Sequence, residues 1–562
     1  MKESTRALIW RQVRESRREF GRGWQLLLRR GPSQIQFWFI ALAVGIAAGF
    51  AAVAFREGIT WLQGALYAAP DIRQIHSHAR TLPWWWLMSV PILGGLAVGL
   101  ILGRLTPDHR VRSVGDVIEG AALRKGRVEL KEGIASTAAS LITLSSGGST
   151  GREGPVVHVA GLISTWVSDR IQADGIAGRD LLGCAVAAAV SASFNAPIAG
   201  ALFALEVVLR HFAVHAFAPI AIASVAGTVV SRLAFGNVTE FTLTPSSSVS
   251  FYVELPAFLL LGLMSGLVAV VLMRSIFFAD DFASHLQARY RIPSVLRPAL
   301  AGAVLGAIAI AFPHIIGVGY ETTAKALRAE IPFLSVVIFV AVKIAAVAVT
   351  MAGRMGGGVF SPSLMIGALS GLAFGMVATS LVPQYSGTGE LYALAGMGAV
   401  AAAVLGAPIS TTMIVFELTG DWQTGLVVMV AVSLSTALAS RMVDRSFFLT
   451  QLEHRGVHLA AGPQAYLLSI YSAAVIMRSK DSPRAAPEEA CRTLVEKGIS
   501  ITPDTTLEVA LPMFDESGQT FLPIVAASAD GGPPELMGAL FQVDALKAMN
   551  RALSETAAEE HS

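Results

Sequence analysis

The chain has 562 residues, of which 53% are hydrophobic and only 15% charged, and its mean hydropathy is +0.59. Soluble domains carry about 25% charged residues, so most of this surface cannot be wetted, and a soluble multidomain protein, a disordered chain and a coiled coil are excluded. Lys+Arg 42 against Asp+Glu 40 leaves +2, too little to draw nucleic acid, and two distant cysteines, Cys184 and Cys491, imply neither a disulfide framework nor a zinc site.

The N-terminal segment, 1–34, is polar and basic. Nine cations from Lys2 to Arg30 are offset only by Glu3, Glu15 and Glu19. Basic residues beside a first span favour the cytoplasm, so the N-terminus is expected inside. Apolar stretches follow at 37–55, 84–103, 180–209, 217–235, 255–278, 297–312, 332–352, 363–382, 391–418 and 424–440. Several are short for the ~20 residues a full span needs, or are broken by Gly and Pro. Broken backbone at membrane depth is tolerated where it lines a cavity, so a transport path is expected rather than an inert anchor. From about 478 charges and prolines return, which reads as a soluble tail.

Two passages match. Asn195-Ala-Pro-Ile-Ala-Gly200 runs into Leu205-Glu206, and Gly406-Ala-Pro-Ile-Ser410 runs into Phe416-Glu417-Leu418. Pro197 and Pro408 are 211 positions apart. A second pair, Gly147–Pro155 and Gly356–Ser363, repeats nearly that offset, with Pro155 and Pro362 207 apart. The expectation is two homologous halves, repeat 1 at 35–250 and repeat 2 at 251–460. Transporter folds are often built this way, with the site between broken helices at the midplane.

In each half a glycine-rich loop opens an apolar helix with proline near its start, which sacrifices no hydrogen bond. The first N–H groups are free and the helix dipole adds about half a positive charge there. Two such ends converging could hold a desolvated anion weakly enough to release it. The loops lack the Gly-Lys-Ser/Thr ending of a phosphate-binding loop. Glu153 stands among these N–H groups. A carboxylate inside a membrane segment is costly and usually functional; ionised, it could occupy the anion site, and protonated it would vacate it. Its bland alternative is a helix cap paired with Arg152. Its counterpart in the second half is Phe360.

These segments, GREGP at 151–155, NAPIAGALFALE at 195–206, GGGVFSPSL at 356–364 and GAPISTTMIVFELTGDW at 406–422, resemble the CLC family of chloride channels and chloride/proton antiporters over about 35 to 460. The resemblance implies an all-α membrane protein, an inverted repeat of broken and tilted helices, and a homodimer with one path per subunit. It would sit multi-pass in a plasma membrane, bacterial inner membrane by type, with both termini cytoplasmic, and move chloride, with other small anions and protons as further cargo. By resemblance Glu153 is the gating glutamate, Arg152 and Gly154 belong to its anion loop, and the backbone N–H groups of Val359 and Phe360 bind the central anion. No metal or cofactor is implied.

Three departures matter. The early serine-bearing loop is degenerate, Arg112-Ser113-Val114-Gly115-Asp116, leaving either Ser113 or Arg112 at the first anion position. Phe448 stands where many members carry the pore tyrosine, and a phenyl ring has no hydroxyl to donate. Val207 stands where many antiporters carry the inner proton-relay glutamate, so that relay position is lost. This favours channel-like conduction, with antiport by a route around Val207 as the alternative. Glu206 and Glu417 are expected to serve helix ends, and His158 to be packed. An enzyme is not expected, since no His-Glu-x-x-His pattern occurs in the spans.

The tail at 499–562 resembles a small α/β CBS domain through Thr502–Leu507, Phe521–Val525, Met537–Leu540 and Asp544–Leu546. Residues 461–498 read as a linker and a degenerate first copy. Phe541 occupies the place of the ribose-holding Ser or Thr three residues before Asp544, which argues against an adenine nucleotide.

Overall fold

The computed structural model describes residues 33–68, 74–173, 175–236, 251–457, 459, 468, 471–526 and 535–560. Nearly all of the basic N-terminal segment, and much of the linker after 457, lie outside the described residues.

Helix α1, Gln34–Tyr67, opens on a capping box in which Ser33 and Gln36 exchange hydrogen bonds. Its 34 residues rise about 51 Å at 1.5 Å each, more than the ~30 Å hydrocarbon layer, so it must tilt or protrude. Then come α2 (Ile75–Ala79), α3 (Trp84–Leu105), α4 (Val114–Leu123), α5 (Leu130–Ser145), α6 (Glu153–Ile171), α7 (Gly175–Phe194) and α8 (Pro197–Phe203), which continues as a π-helical turn over Ala204–Leu209. Helix α9 (Val214–Phe235) closes the first half. The second half holds α10 (Phe251–Tyr290), α11 (Arg297–Ala311), α12 (Tyr320–Leu327), α13 (Phe333–Ala352), α14 (Phe360–Leu381), α15 (Gly389–Leu405), α16 (Pro408–Thr419), α17 (Trp422–Met442) and α18 (Phe447–Glu453). Among the described residues, nine helical segments are long and apolar enough to cross a membrane.

The apolar runs 180–209 and 391–418 each divide in two. The breaks fall at equivalent points: Asn195 (φ 57°) and Gly406 (φ 68°) turn left-handed two residues before Pro197 and Pro408. Helices α5 and α6 fall outside the apolar stretches because of their Ser, Thr and charged residues. In α5 the hydroxyls of Ser136 and Thr137 donate to carbonyls one turn back, which hides their polarity inside the helix.

Small residues let helices touch. A Cβ on Gly45 would lie 2.6 Å from the Ala223 carbonyl, and one on Gly227 2.3 Å from that of Ala188. In lipid, packing of this kind, not hydrophobic burial, holds helices together. The core runs through both halves, with α7 and α15 buried along nearly their whole length.

The tail contains α19 (Ala473–Ile476), β1 (Arg478–Ser479), α20 (Glu488–Glu496), α21 (Leu507–Ser517), β2 (Phe521–Ala526), β3 (Glu535–Phe541) and α22 (Gln542–Glu560). Its antiparallel sheet runs β1-β3-β2, with a bulge between Ile524 and Val525. Leu507, Phe514, Leu522, Ile524 and Leu540 form its own core. The small α/β unit expected after the membrane region is therefore present. It docks on that region: Glu508, 2% exposed, lies 4.0 Å from Arg210, and Lys125 pairs with Asp504 at 3.2 Å.

Candidate functional site at the joined glycine loops

Helices α6 and α14 begin against each other. Gly151 N–H donates to the Gly358 carbonyl at 2.7 Å, and Gly358 N–H returns a bond to Gly151 at 2.8 Å. The two glycines are 207 positions apart, as Pro155 and Pro362 are, so this pair of bonds joins equivalent points of the two halves. The loops approach this closely because they lack side chains. A Cβ on Gly357, whose φ is 112°, would lie 2.1 Å from the Thr150 hydroxyl; one on Gly154 would lie 3.1 Å from the Gly358 Cα.

Glu153 is the first residue of α6 and is 3% exposed. Its Oε1 accepts from the Ser361 hydroxyl at 2.5 Å, and the Arg152 Nε lies 3.9 Å away. The carboxylate folds back over the joined loops: a Cβ on Gly151 would meet Glu153 Oε2 at 2.7 Å and Ser361 N at 3.1 Å. Arg152 donates to the Ser193 carbonyl at 3.2 Å and lies over the Tyr320 ring, 5.3 Å from its centroid. Its side chain therefore ties the loop to α7 and α12. The bland alternative for Glu153 is thus met in part, because it does sit at a helix start beside Arg152. Its short hydrogen bond, however, goes to Ser361 on the other half. Val359 and Phe360 are buried at the start of α14. The Phe360 ring packs at 4.8 Å from Phe194 and 6.0 Å from Phe203, centroid to centroid.

Ser113 is the N-cap of α4, and its N–H donates to Asp116 at 2.7 Å. The Arg112 guanidinium is turned to carboxylates instead: Asp108 at 2.8 Å, Glu129 at 3.2 Å and Asp116 at 3.7 Å. Of the two alternatives, Ser113 stands at the helix end. Phe448 is buried in α18, edge-on to Phe447 at 5.8 Å, with its carbonyl 3.8 Å from where a Cβ on Gly115 would lie. His158 is buried against Gly133 of α5.

Val207 lies in the π-helical turn after α8 and lines a cavity of about 390 Å³ with Glu206, Arg210, Asp444 and Arg445. Glu206 is committed elsewhere. It accepts from Ile409 N at 2.9 Å, Ser410 N at 2.7 Å and the Ser410 hydroxyl at 2.7 Å. Glu417 does the reverse, accepting from Ile198 N at 3.0 Å and Ala199 N at 2.8 Å. Each half thus caps the proline-led helix of the other, the helix-end service expected of both.

Sequence reasoning missed Ser361 and Tyr320. Ser361 had a signal, since it is the repeat counterpart of Gly154. Tyr320 had none, because its contact with Arg152 exists only through the fold.

This is the architecture of a polytopic membrane protein whose two halves meet in a buried, glycine-lined site. The sequence profile of the voltage gated chloride channel family matches residues 94–440, and the chain belongs to that family. A ClcB-like protein from Ralstonia nicotianae is 32% identical over 396 residues, 70% of this chain and 91% of that protein. The voltage-gated ClC-type chloride channel ClcB of an Escherichia coli strain is 29% identical, covering 68% of this chain and 91% of its own length. Among solved structures, a slow cyanobacterial Cl⁻/H⁺ antiporter superposes with a TM-score of 0.66 at 19% identity, over 75% of this chain and 98% of that one. A eukaryotic CLC transporter gives 0.63 at 16% identity, over 90% and 97%. At these identities the two structures speak for the fold alone.

Proposed function

We propose that this member of the chloride transport family conducts chloride passively, gated by Glu153, through one path in each subunit of a homodimer. The observation that carries the reading is the joining of the two loops at Gly151 and Gly358 with the Glu153 carboxylate folded over the joint. Ionised, Glu153 occupies the ground an anion would take. Once protonated it loses its charge and its claim on the loop N–H groups. Chloride then replaces it, held by the N–H groups of Gly154, Val359 and Phe360 and by the dipoles of two helix starts. Ser113 and Phe448 line the path further along, and Arg152 fixes the loop. Weak, sequential contacts of this kind allow release as well as binding.

Passive conduction is favoured over exchange because no proton carrier stands at Val207. The neighbouring Glu206 is held by three hydrogen bonds. Antiport remains the second reading, on one observation: the 390 Å³ cavity at Val207 has room for water that could carry protons past it. The protein is read as a transporter and not an enzyme, in a plasma membrane with cytoplasmic termini. The tail is read as CBS-like without a nucleotide, because Arg478 lies over the Phe541 ring at 4.0 Å and pairs with Asp544 at 2.7 Å.

Flux from chloride-loaded liposomes, with voltage set by a potassium ionophore and pH followed together, tests this. Chloride efflux without uphill proton movement is expected. Steady proton pumping would establish antiport, and no efflux would overturn the transport reading.

A further inference from the structure

Lys343 is the only ionisable residue of α13, Phe333–Ala352, and it is fully buried, 0% exposed. A cation inside a membrane span is costly and is kept for a task, yet the site described above does not use it. Its ammonium donates to the Gly317 carbonyl at 3.1 Å and the Ile315 carbonyl at 3.3 Å. Such neutral acceptors favour the charged form without cancelling its charge, and among the described residues no carboxylate pairs with it.

The groups around it do not answer that charge. His314 stacks on Phe339, one turn before Lys343, at 3.8 Å between ring centroids, and His76 stands edge-on to His314 at 6.1 Å. Burial, then Lys343, pulls His314 down to about 3, and burial pulls His76 down to about 4, so both rings are neutral at neutral pH. Glu321 accepts from the Ser77 N–H at 3.0 Å and from Lys325 at 2.8 Å. Arg80 is exposed, Tyr67 is buried at the end of α1, and α14 carries no ionisable side chain.

What Lys343 holds leads to the gate. The segment it grips runs from the turn Pro313–Ile315 through Gly317 and Gly319, both left-handed at φ 62° and 91°, into α12 at Tyr320. Arg152 lies over that Tyr320 ring. A Cβ on Gly319 would lie 3.5 Å from Lys343 Nζ and 2.3 Å from Met365 Sδ. Met365 is one turn along α14 from Ser361, which donates to Glu153. Lys343 therefore stands behind both groups that flank the carboxylate.

We propose that Lys343 is a positioning residue for the Glu153 gate: its buried ammonium fixes the segment from Ile315 to Tyr320 behind Arg152 and biases Glu153 toward its ionised, closed form. This rests on Glu153 being the gate. A nearby cation lowers the pH at which a carboxylate takes up its proton, so removing the cation raises that pH.

The test uses the full-length chain in liposomes, with initial chloride flux measured against pH. Lys343→Met is apolar and of similar length; Lys343→Gln keeps a donor for the two carbonyls. Each should move the midpoint of the flux–pH profile up by about one unit, the effect of one charge across a partly wet site. Lys343→Arg, which keeps the charge, should keep the wild-type midpoint. Combined with Glu153→Gln, Lys343→Met should produce no shift, because the group it acts on is gone. Thermal midpoints in detergent show whether each variant is folded. Unshifted profiles in folded methionine and glutamine variants would overturn the role. So would a shift in Lys343→Met with none in Lys343→Gln, which would leave Lys343 a clamp on two carbonyls and nothing more. Loss of folding in both would do the same. Wild-type flux that ignores pH would sink the gate reading and this role with it, whereas a pH-gated wild type with unshifted variants would sink the role alone.

Discussion

At the scale of single residues, the proposed gate is a competition between a tethered carboxylate and a free anion for the ground beside the joined loops. Glu153→Gln removes the charge but not the shape. It should abolish the pH dependence of flux and any proton movement while anion flux persists; a retained pH profile would assign gating to another residue. Ser361→Ala removes the hydroxyl that holds Glu153 Oε1. A hydrogen bond to a charged group contributes about 1.5–3 kcal/mol. The carboxylate should therefore leave the loops more often, and flux at neutral pH should rise by roughly tenfold in the same liposome assay. Equal flux in the two proteins would show that the contact does not hold the closed state. Glu153 was legible from sequence because a carboxylate among glycines in a membrane segment is too costly to keep without a task. Ser361 had only its repeat position opposite Gly154 to mark it, and that its hydroxyl meets Glu153 emerges once the two halves are brought face to face.

At the scale of elements, the fold is held by exchanges between the halves. Glu206 and Glu417 each satisfy the free N–H groups of a helix 200 or so residues away. Glu417→Ala would leave Ile198 and Ala199 N–H without that acceptor, and should cost about 1–2 kcal/mol by the usual worth of an N-cap, read as a lower thermal midpoint in detergent. At the start of α17, Asp421 accepts from Thr424 N at 2.9 Å and from the Thr424 hydroxyl. That hydroxyl bond holds the Asp421 carboxyl below the ordinary carboxylate range. The sign follows: a depressed folded value means the stabilisation is present above the unfolded value near ~3.9 and is lost as pH falls through the folded one. Asp421→Ala should therefore lower the midpoint at pH 7 by about 1 kcal/mol equivalent and by clearly less near pH 3. Element limits were legible where proline and glycine mark them, as at Pro197, Pro408 and Gly406. Helix α5 was not, since its hydroxyls look polar in sequence and are spent internally in the structure.

At the scale of the whole molecule, the tail and the membrane region share charge. Glu508 is buried where Arg210 and the positive charge of Arg179 meet it, and Arg210 also lines the cavity at Val207. A buried carboxylate is tolerated only when matched. Glu508→Lys should therefore loosen the docked tail, and amide exchange across α21 should quicken by at least about tenfold, the equivalent of ~1.4 kcal/mol. Exchange at the wild-type rate would mean that the tail is held by other contacts. The sequence by itself determined the membrane class, and pointed to a twofold repeat and to the glycine loops as the candidate site. These rest on composition, spacing and local backbone chemistry, which one strand of letters carries. Only the tertiary structure decided that Gly151 binds Gly358, that Ser113 and not Arg112 stands at the α4 end, and that the helix end Glu206 caps is that of α16 in the other half. Each of these is a contact across roughly 20 to 200 positions or a choice between neighbouring side chains. Such contacts are set by how helices pack in three dimensions, and no local pattern encodes them.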